Sequence, residues 1–248
     1  IVEGLSHTPY SYLAKEIQAK IFTCSKIFVI SDGLRDMYKM KYNLETTTLK
    51  HSYPEDILVN TDFRRNKQKT IFWGGSIYSI NRHSVIRVYE ASRGFGMKFI
   101  LTSNINYKNF HRLGFDDEHS SRVFFNSRED YINELSSQGI LLLACDWPDE
   151  SPVHEDELAT IFPTKTIEYL ASGRPILVHC PRNYFLYRFF QKYDCGYLVS
   201  DRDIDKIIET IGFIMSDLHL STKISNAFKA LNQFHISEIT KELCLHIT

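Results

Sequence analysis

The sequence is short of several features that would fix a class at once. Its five cysteines (Cys24, Cys145, Cys180, Cys195 and Cys244) are scattered through 248 residues without a CxxC pair. That spacing argues against a disulfide framework or a cysteine zinc site and favours reduced thiols in a cytoplasmic compartment. No apolar run approaches the roughly 20 residues needed to span a bilayer, and the first residues lack the basic-then-apolar pattern of a secretion signal. The expectation is a soluble cytoplasmic chain, with peripheral membrane association left open. Twenty-nine basic against 30 acidic residues give a net charge of -1, too little imbalance to attract nucleic acid over a broad surface. An anionic ligand must therefore be met by local groups. There is no Walker loop, zinc-ligand spacing or Ser/His/Asp set, and Gly-Gly-Ser at 74–76 is too short for a GxGxxG dinucleotide fingerprint.

What is present is a regular alternation. Leu13, Ile17 and Ile21 recur every fourth position between Tyr10 and Phe22, which predicts a helix with those residues in one stripe. KIFVIS (26–31) reads as a strand, Ser31 as the N-cap of a helix carrying Leu34, Met37 and Tyr38, and TTLKH (47–51) as a further strand. The polar DFRRNKQK (62–69) interrupts the pattern as a linker. Beyond it, TIFWGGS (70–76), MKFILTS (97–103), RVFFNS (122–127), GILLLAC (139–145), PILVHC (175–180) and CGYLVS (195–200) are strands separated by helical segments. One such segment places Ile204, Ile207, Ile208, Ile211, Ile214 and Met215 on a single face. Two last helices are expected to be capped by Ser221 and Ser237, and DWPDESPVHEDE (146–157) reads as an acidic loop. Apolar strands alternating with helices imply an α/β, Rossmann-like parallel sheet covered on both faces. Ligands in such sheets sit at the carboxyl ends of the strands, so the loops at 74–81, 102–106, 126–128 and 146–166 are where a site is expected.

The segment TIFPTKTIEYLASGRPILVHC (160–180) is the most informative. Pro163 suits a first helical position, Gly173 a helix stop, and Ile167, Leu170 and Ala171 a buried stripe. Backbone N–H groups at Thr164, Lys165 and Thr166 would then point out of the helix start, where an anion such as phosphate is favoured, and Lys165 would add a full charge. Glu168, one turn on, lies on the face of Thr164, placed to accept two hydrogen bonds from a vicinal diol. The plain alternative is a solvated glutamate and a surface lysine.

FPTKTIEYLASGRPIL (162–177) resembles the donor-binding signature of retaining, group 1 glycosyltransferases of the GT-B fold, a Pro-x-Lys-x-x-Glu-Tyr run closed by Gly-x-Pro. The resemblance implies that Glu168 binds the ribose of a nucleoside diphosphate-sugar and that Thr164, Lys165 and Thr166 face its diphosphate. FWGGSIYSINRHSVIRVYEAS (72–92) is similar to the family's first donor-domain strand, which adds Gly74, Gly75, Ser76 and Arg82 as diphosphate contacts. RVFFNSREDYINEL (122–135) looks like the segment lining the base pocket, with Asn126 and Ser127 as base contacts. The sequence departs from many relatives at Thr160, where a second glutamate stands near the sugar.

The resemblance further implies a division of the chain: 1–60 the end of an acceptor-binding N-terminal domain, 61–69 a linker, 70–235 the donor domain, and 236–248 a C-terminal helix. The expected reaction moves a hexose or related sugar from a nucleotide-sugar donor to a hydroxyl of a glycan or lipid-linked acceptor in polysaccharide or glycoconjugate synthesis, with retention. No metal or other cofactor is expected, and the catalytic residue is not assigned. A nucleotide-sugar 2-epimerase of the same fold and a sugar-nucleotide-binding subunit without catalysis remain alternatives.

Overall fold

The structure is a computed structural model describing residues 9–24, 26–53, 68–102 and 107–247. In chain order it contains α1 (Ser11–Phe22), β1 (Phe28–Val29), α2 (Asp32–Tyr42), β2 (Thr47–Thr48), β3 (Thr70–Gly74), α3 (Arg82–Gly94), β4 (Lys98–Thr102), α4 (Tyr107–Arg112), β5 (Ser120–Val123) and α5 (Arg128–Ser137). It continues with β6 (Ile140–Ala144), a 3-10 turn (Pro148–Glu150), α6 (Glu155–Thr160), α7 (Thr166–Ala171), β7 (Ile176–His179), α8 (Phe185–Tyr193), β8 (Tyr197–Val199), α9 (Ile204–Ser216), α10 (Leu220–Leu231), a second 3-10 turn (Asn232–Phe234) and α11 (Ile236–Ile247).

Strands β3 to β8 form one parallel sheet in the order β5-β4-β3-β6-β7-β8. The strands run nearly without polar residues because both faces are covered. On one face Ile71, Trp73, Leu101, Leu142 and Leu177 pack with Val85 and Val88 of α3 and Ile207, Ile211 and Ile214 of α9. On the other, Phe72, Leu141, Leu143 and Val178 meet Ile167 and Leu170 of α7, Leu186 and Phe190 of α8 and Leu231 of α10. The chain leaves β3 towards β4 and β5, then returns to the other side of β3 to place β6, β7 and β8. The crevice where that reversal occurs, at the carboxyl ends of β3 and β6, is the place such a sheet offers a ligand.

The opening segment packs on this unit. Strands β1 and β2 form a two-stranded parallel sheet, and the Ser31 hydroxyl caps α2 by accepting from the Leu34 amide at 3.2 Å. Helix α2 lies against α6, joined by Lys41 to Asp156 at 2.5 Å. A side chain at Gly33 would run into Phe185 of α8 at 2.7 Å. Tyr53 is buried and pairs with His235.

Several features go beyond or against these expectations. Leu13, Ile17 and Ile21 of α1 face outward, 52 %, 44 % and 36 % exposed, while Ala14 and Gln18 are buried; helical period marks a stripe, but only a neighbour decides whether it is covered. The acidic run His154–Glu157 is not a loop: Glu155 to Glu157 open α6, where three acids suit the positive helix end, and His154 accepts from the Asp156 amide. The last two helices start one residue earlier than the expected serine caps: His219 precedes α10 without a side-chain cap bond, and His235 Nδ1 accepts from the Ser237 amide ahead of α11. The strand expected at 26–31 is reduced to Phe28–Val29. Most of the expected linker (61–67 of 61–69), and the strand-end loop at 103–106, lie outside the described residues.

Candidate functional site

Three segments meet at the reversal crevice: the turn after β3, the end of β6, and α7. Gly75 takes φ +132°, a conformation that side-chain-bearing residues rarely adopt, which turns the chain sharply away from the strand end. A Cβ at Gly74 would lie 2.6 Å from the Tyr131 hydroxyl and 3.0 Å from that of Tyr169, so this position holds glycine for want of room. The Gly74 amide donates to the Tyr169 hydroxyl at 2.8 Å and the Gly75 amide to the Thr102 carbonyl at 3.0 Å. Both glycine amides expected at the diphosphate are thus engaged inside the protein. Ser76 follows partly exposed, the first residue of the turn clear of those bonds.

Helix α7 begins later than its proline suggests. The Thr166 amide donates to the Pro163 carbonyl at 2.9 Å and Ile167 to the Thr164 carbonyl at 3.4 Å, a tight turn that precedes the first full helical bond, from Tyr169 to Lys165. Pro163 therefore heads this turn instead of the helix. The Thr166 amide is not available to an anion, and its side chain is fully buried. Of the three amides expected to be free, Thr164 and Lys165 remain so among the described residues, with Thr164 exposed. Past Ala171 the helix stops at Gly173, φ +70°, as the sequence implies.

Glu168 is 24 % exposed at its side chain and stands 3.7 Å from the Arg128 guanidinium. Burial raises its pKa, and Arg128 only partly opposes that. The Tyr131 hydroxyl, beside Gly74, is held protonated by burial and by the Glu168 charge. Glu168 thus lies in a half-enclosed position next to the β3 turn. Lys165 reaches from α7 across the strand ends: its ammonium sits 3.0 Å from the centre of the Trp73 ring and 3.9 Å from where a Gly75 Cβ would be. Desolvation lowers its pKa to about 7. Lys165, at the N-cap of α7, and Glu168, in its first turn, flank the crevice from one helix end.

The remaining expected residues are placed further out. Arg82 is exposed at the start of α3. The amides behind it are closed to an anion, because the buried Asp146 carboxylate at the end of β6 accepts from His83 at 3.1 Å and Ser84 at 2.7 Å. Asn126 is exposed, and Ser127 is spent as the N-cap of α5, accepting from Asp130 at 3.0 Å. Thr160, in the place of the family's second glutamate, turns its hydroxyl back to the carbonyls of Asp156 and Glu157 within α6. Among the described residues, no group of three or more His, Cys, Asp or Glu side chains is placed to hold a metal ion, and no helix is long and apolar enough to cross a membrane.

No family model matches the sequence, and no curated protein matches it. Comparison of the fold is decisive where sequence comparison is silent. Sucrose-phosphate synthase from Thermosynechococcus elongatus superposes over 99 % of this chain and 63 % of its own, with a TM-score of 0.70 at 13 % identity. HepE from Anabaena, solved in complex with UDP-glucose, matches 99 % of this chain and 69 % of its own, with a TM-score of 0.70 at 12 % identity. WaaG, a glycosyltransferase involved in lipopolysaccharide biosynthesis, matches 97 % of this chain and 69 % of its own, with a TM-score of 0.64 at 13 % identity. The fold is that of the GT-B glycosyltransferases. The chain spans between about two thirds and less than half of the length of such structures, the low end being TarM at 46 %.

Within the GT-B fold, four residues that pattern reading passed over shape the crevice. Tyr169 and Tyr131 bracket Gly74, Trp73 receives Lys165, and Asp146 caps α3 from the adjacent strand. Only Tyr169 had a sequence signal, since it stands in the Glu-Tyr pair of the signature. Trp73 reads in sequence as one more apolar strand residue, and Asp146 as the first acid of a loop.

Proposed function

We propose that this chain carries the donor site of a glycosyltransferase that moves a sugar from a nucleoside diphosphate-sugar to an acceptor hydroxyl. The observation that carries the reading is Glu168, half-buried at the strand-reversal crevice beside the Gly74–Gly75 turn, with Lys165 three residues before it at the N-cap of α7. A nucleotide has both chemistries at that spacing, a vicinal diol and, a few ångströms away, a diphosphate. UDP-glucose in HepE and UDP in TarM, each in a structure of this fold, support a nucleotide-sugar as the ligand class.

In this reading Glu168 accepts hydrogen bonds from the ribose diol and fixes the donor's position, without acting as nucleophile or base. Bond cleavage between the sugar and the diphosphate leaves growing negative charge on the departing group. Lys165, the amides of Thr164 and Lys165, and the exposed Arg82 at the β3–α3 turn are the groups that offset it, the kind of electrostatic assistance that is usually the largest single contribution. Asn126 and Arg128, both exposed on the turn after β5, are the groups nearest in sequence to a base stacked beyond the ribose. Retention at the sugar, a glycan or lipid-linked acceptor and a role in polysaccharide or glycoconjugate synthesis complete the proposal, with the acceptor met by the portion of the GT-B fold to which 9–53 belong.

Calorimetric titration of the chain with UDP, GDP, ADP and the corresponding diphosphate-sugars tests the reading. One of them is expected to bind, with the sugar-bearing form at least as tight as the bare diphosphate, and Glu168→Ala is expected to weaken it. Absence of binding by every nucleotide, or equal binding by Glu168→Ala, overturns the assignment.

A further inference from the structure

The Lys165 amine is an unusual group in this structure. It lies against the Trp73 ring at 3.0 Å, behind the Gly75 turn, and among the described residues no carboxylate is within ion-pair distance of it. The groups that face it are few. From β3 there is the Trp73 ring, itself 1 % exposed. From the end of β6 there is the Cys145 thiol, whose pKa burial pushes up to about 12, so that it stays neutral. Asp146, the next residue, spends its two carboxylate oxygens on the α3 amides of His83 and Ser84. Glu168, further along α7, is directed to Arg128 and Tyr131. A desolvated cation with no counter-charge is costly, and a ring face only partly replaces lost water.

We propose that Trp73 is a positioning residue for donor binding: its ring holds the Lys165 amine in reserve, and an anionic diphosphate draws the amine off the ring and over Gly75 as a protonated ammonium. The inference rests on the donor-binding reading above and adds to it a resting position and a displacement. The step balances simply: the amine nitrogen gains one proton from solvent, and the resulting charge is matched by one diphosphate oxygen. The turn is built for the movement. Gly75 presents no side chain, and the nearest atom to its Cβ position is the lysine nitrogen itself. The lowered pKa of about 7 fits an amine that is only partly charged at rest and becomes fully charged when an anion arrives.

Two measurements on the intact chain test this. The first needs no ligand. Trp73 and Trp147 are the two tryptophans, so Trp147→Phe leaves Trp73 as the sole indole reporter. Its fluorescence is expected to change with a midpoint near 7 between pH 5.5 and 9, and that transition is expected to vanish on adding Lys165→Met. The second is calorimetry with UDP, GDP and ADP at pH 7.5 in two buffers of different ionisation heat. Binding is expected to take up a fraction of a proton, because the lowered pKa leaves the amine partly neutral at pH 7.5, and Lys165→Met is expected to remove that uptake. Trp73→Leu keeps the position apolar and removes the ring face that favours the charged amine, so Lys165-dependent proton uptake is expected to rise towards a full proton, and unchanged uptake would show that the ring plays no part. Nucleotide binding without Lys165-dependent proton uptake, or the lack of a Lys165-dependent fluorescence midpoint, overturns the displacement and leaves the donor site standing. Failure of every nucleotide to bind overturns both, whatever the fluorescence shows.

Discussion

The Tyr169 hydroxyl accepts the Gly74 amide hydrogen at 2.8 Å, which ties α7 to the end of β3. The two residues are 95 positions apart, yet this contact sets the distance between the glycine turn and the helix that carries Lys165 and Glu168. Both groups are buried, so the bond has no water to replace it. Tyr169→Phe is expected to leave the Gly74 amide unsatisfied and to lower unfolding free energy by about 1–3 kcal/mol, measured by urea denaturation. Because the turn is loosened on one side, donor affinity should fall as well, and unchanged values of both would show that the tie is redundant.

Glu168 gives a prediction with a sign in pH. Its pKa is raised by burial and partly restored by Arg128, and only the carboxylate form accepts from both hydroxyls of a diol. Donor affinity should therefore be lost on acidification above the range of an ordinary glutamate. Arg128→Ala should move that loss to still higher pH. At neutral pH, Glu168→Ala is expected to weaken nucleoside diphosphate binding by about 1–3 kcal/mol, the usual worth of charged hydrogen bonds. Calorimetry across pH 4.5–8 checks all three statements.

Asp146 supplies a different kind of test, since it serves the fold of the crevice without facing a ligand. Its carboxylate receives two amides of α3 and the hydroxyl of Ser84 lies alongside, bonded to the Cys145 carbonyl at 2.9 Å. Removing such a cap costs about 0.5–2 kcal/mol. Asp146→Ala is expected to reach the upper part of that range, because Asp146 and its partner Ser84 are buried, while Asp146→Asn should retain part of the stability by keeping one acceptor. Thermal and chemical denaturation of the two variants distinguishes them, and equal stability would mean that the α3 amides find other partners.

The order of the strands and of most helices was legible in the sequence because continuous apolar strands and helical stripes report burial directly, whereas α4 and α6 carry no such stripe and were not expected. Ile207, Ile211 and Ile214 are buried as their spacing requires, and Ser31 caps α2. The candidate site was legible where the geometry is local: Lys165 at the N-cap of α7 and Glu168 in its first turn are three residues apart, so the sequence alone puts them at one helix end. It was not legible where the partners come from distant segments. Nothing in Gly74 or Gly75 reveals that Tyr169 and Thr102 consume their amides, and nothing in Trp73 reveals a lysine over its ring. The stripe of α1 is present but exposed, since period shows that residues share a face and leaves open what lies opposite. The acidic run at 154–157 was read by composition, which missed that acids are favoured in the first turn of α6.

His179 provides the prediction with the clearest pH window. It ends β7 fully buried; its Nε2–H donates to the Asp201 carbonyl at 2.9 Å, and Nδ1 has no hydrogen-bond partner among the described residues. Burial lowers its pKa to about 4 from an ordinary value near 6.5. Between those two values the unfolded chain binds a proton that the folded chain refuses, so stability rises with pH through that window and is lost as pH falls through it. Trp147 lies 5.0 Å from the imidazole and is itself covered by Arg87 at 5.4 Å and Arg202 at 5.2 Å, so a charged His179 would also face two cations across one ring. His179→Gln keeps a donor for Asp201 and removes the titration. The variant should be less stable than the parent at pH 7.5, where packing is imperfect, yet lose less stability than the parent between pH 6.5 and 4.5. Urea midpoints at several pH values measure the difference, and parallel acid profiles for the two proteins would place the acid sensitivity elsewhere.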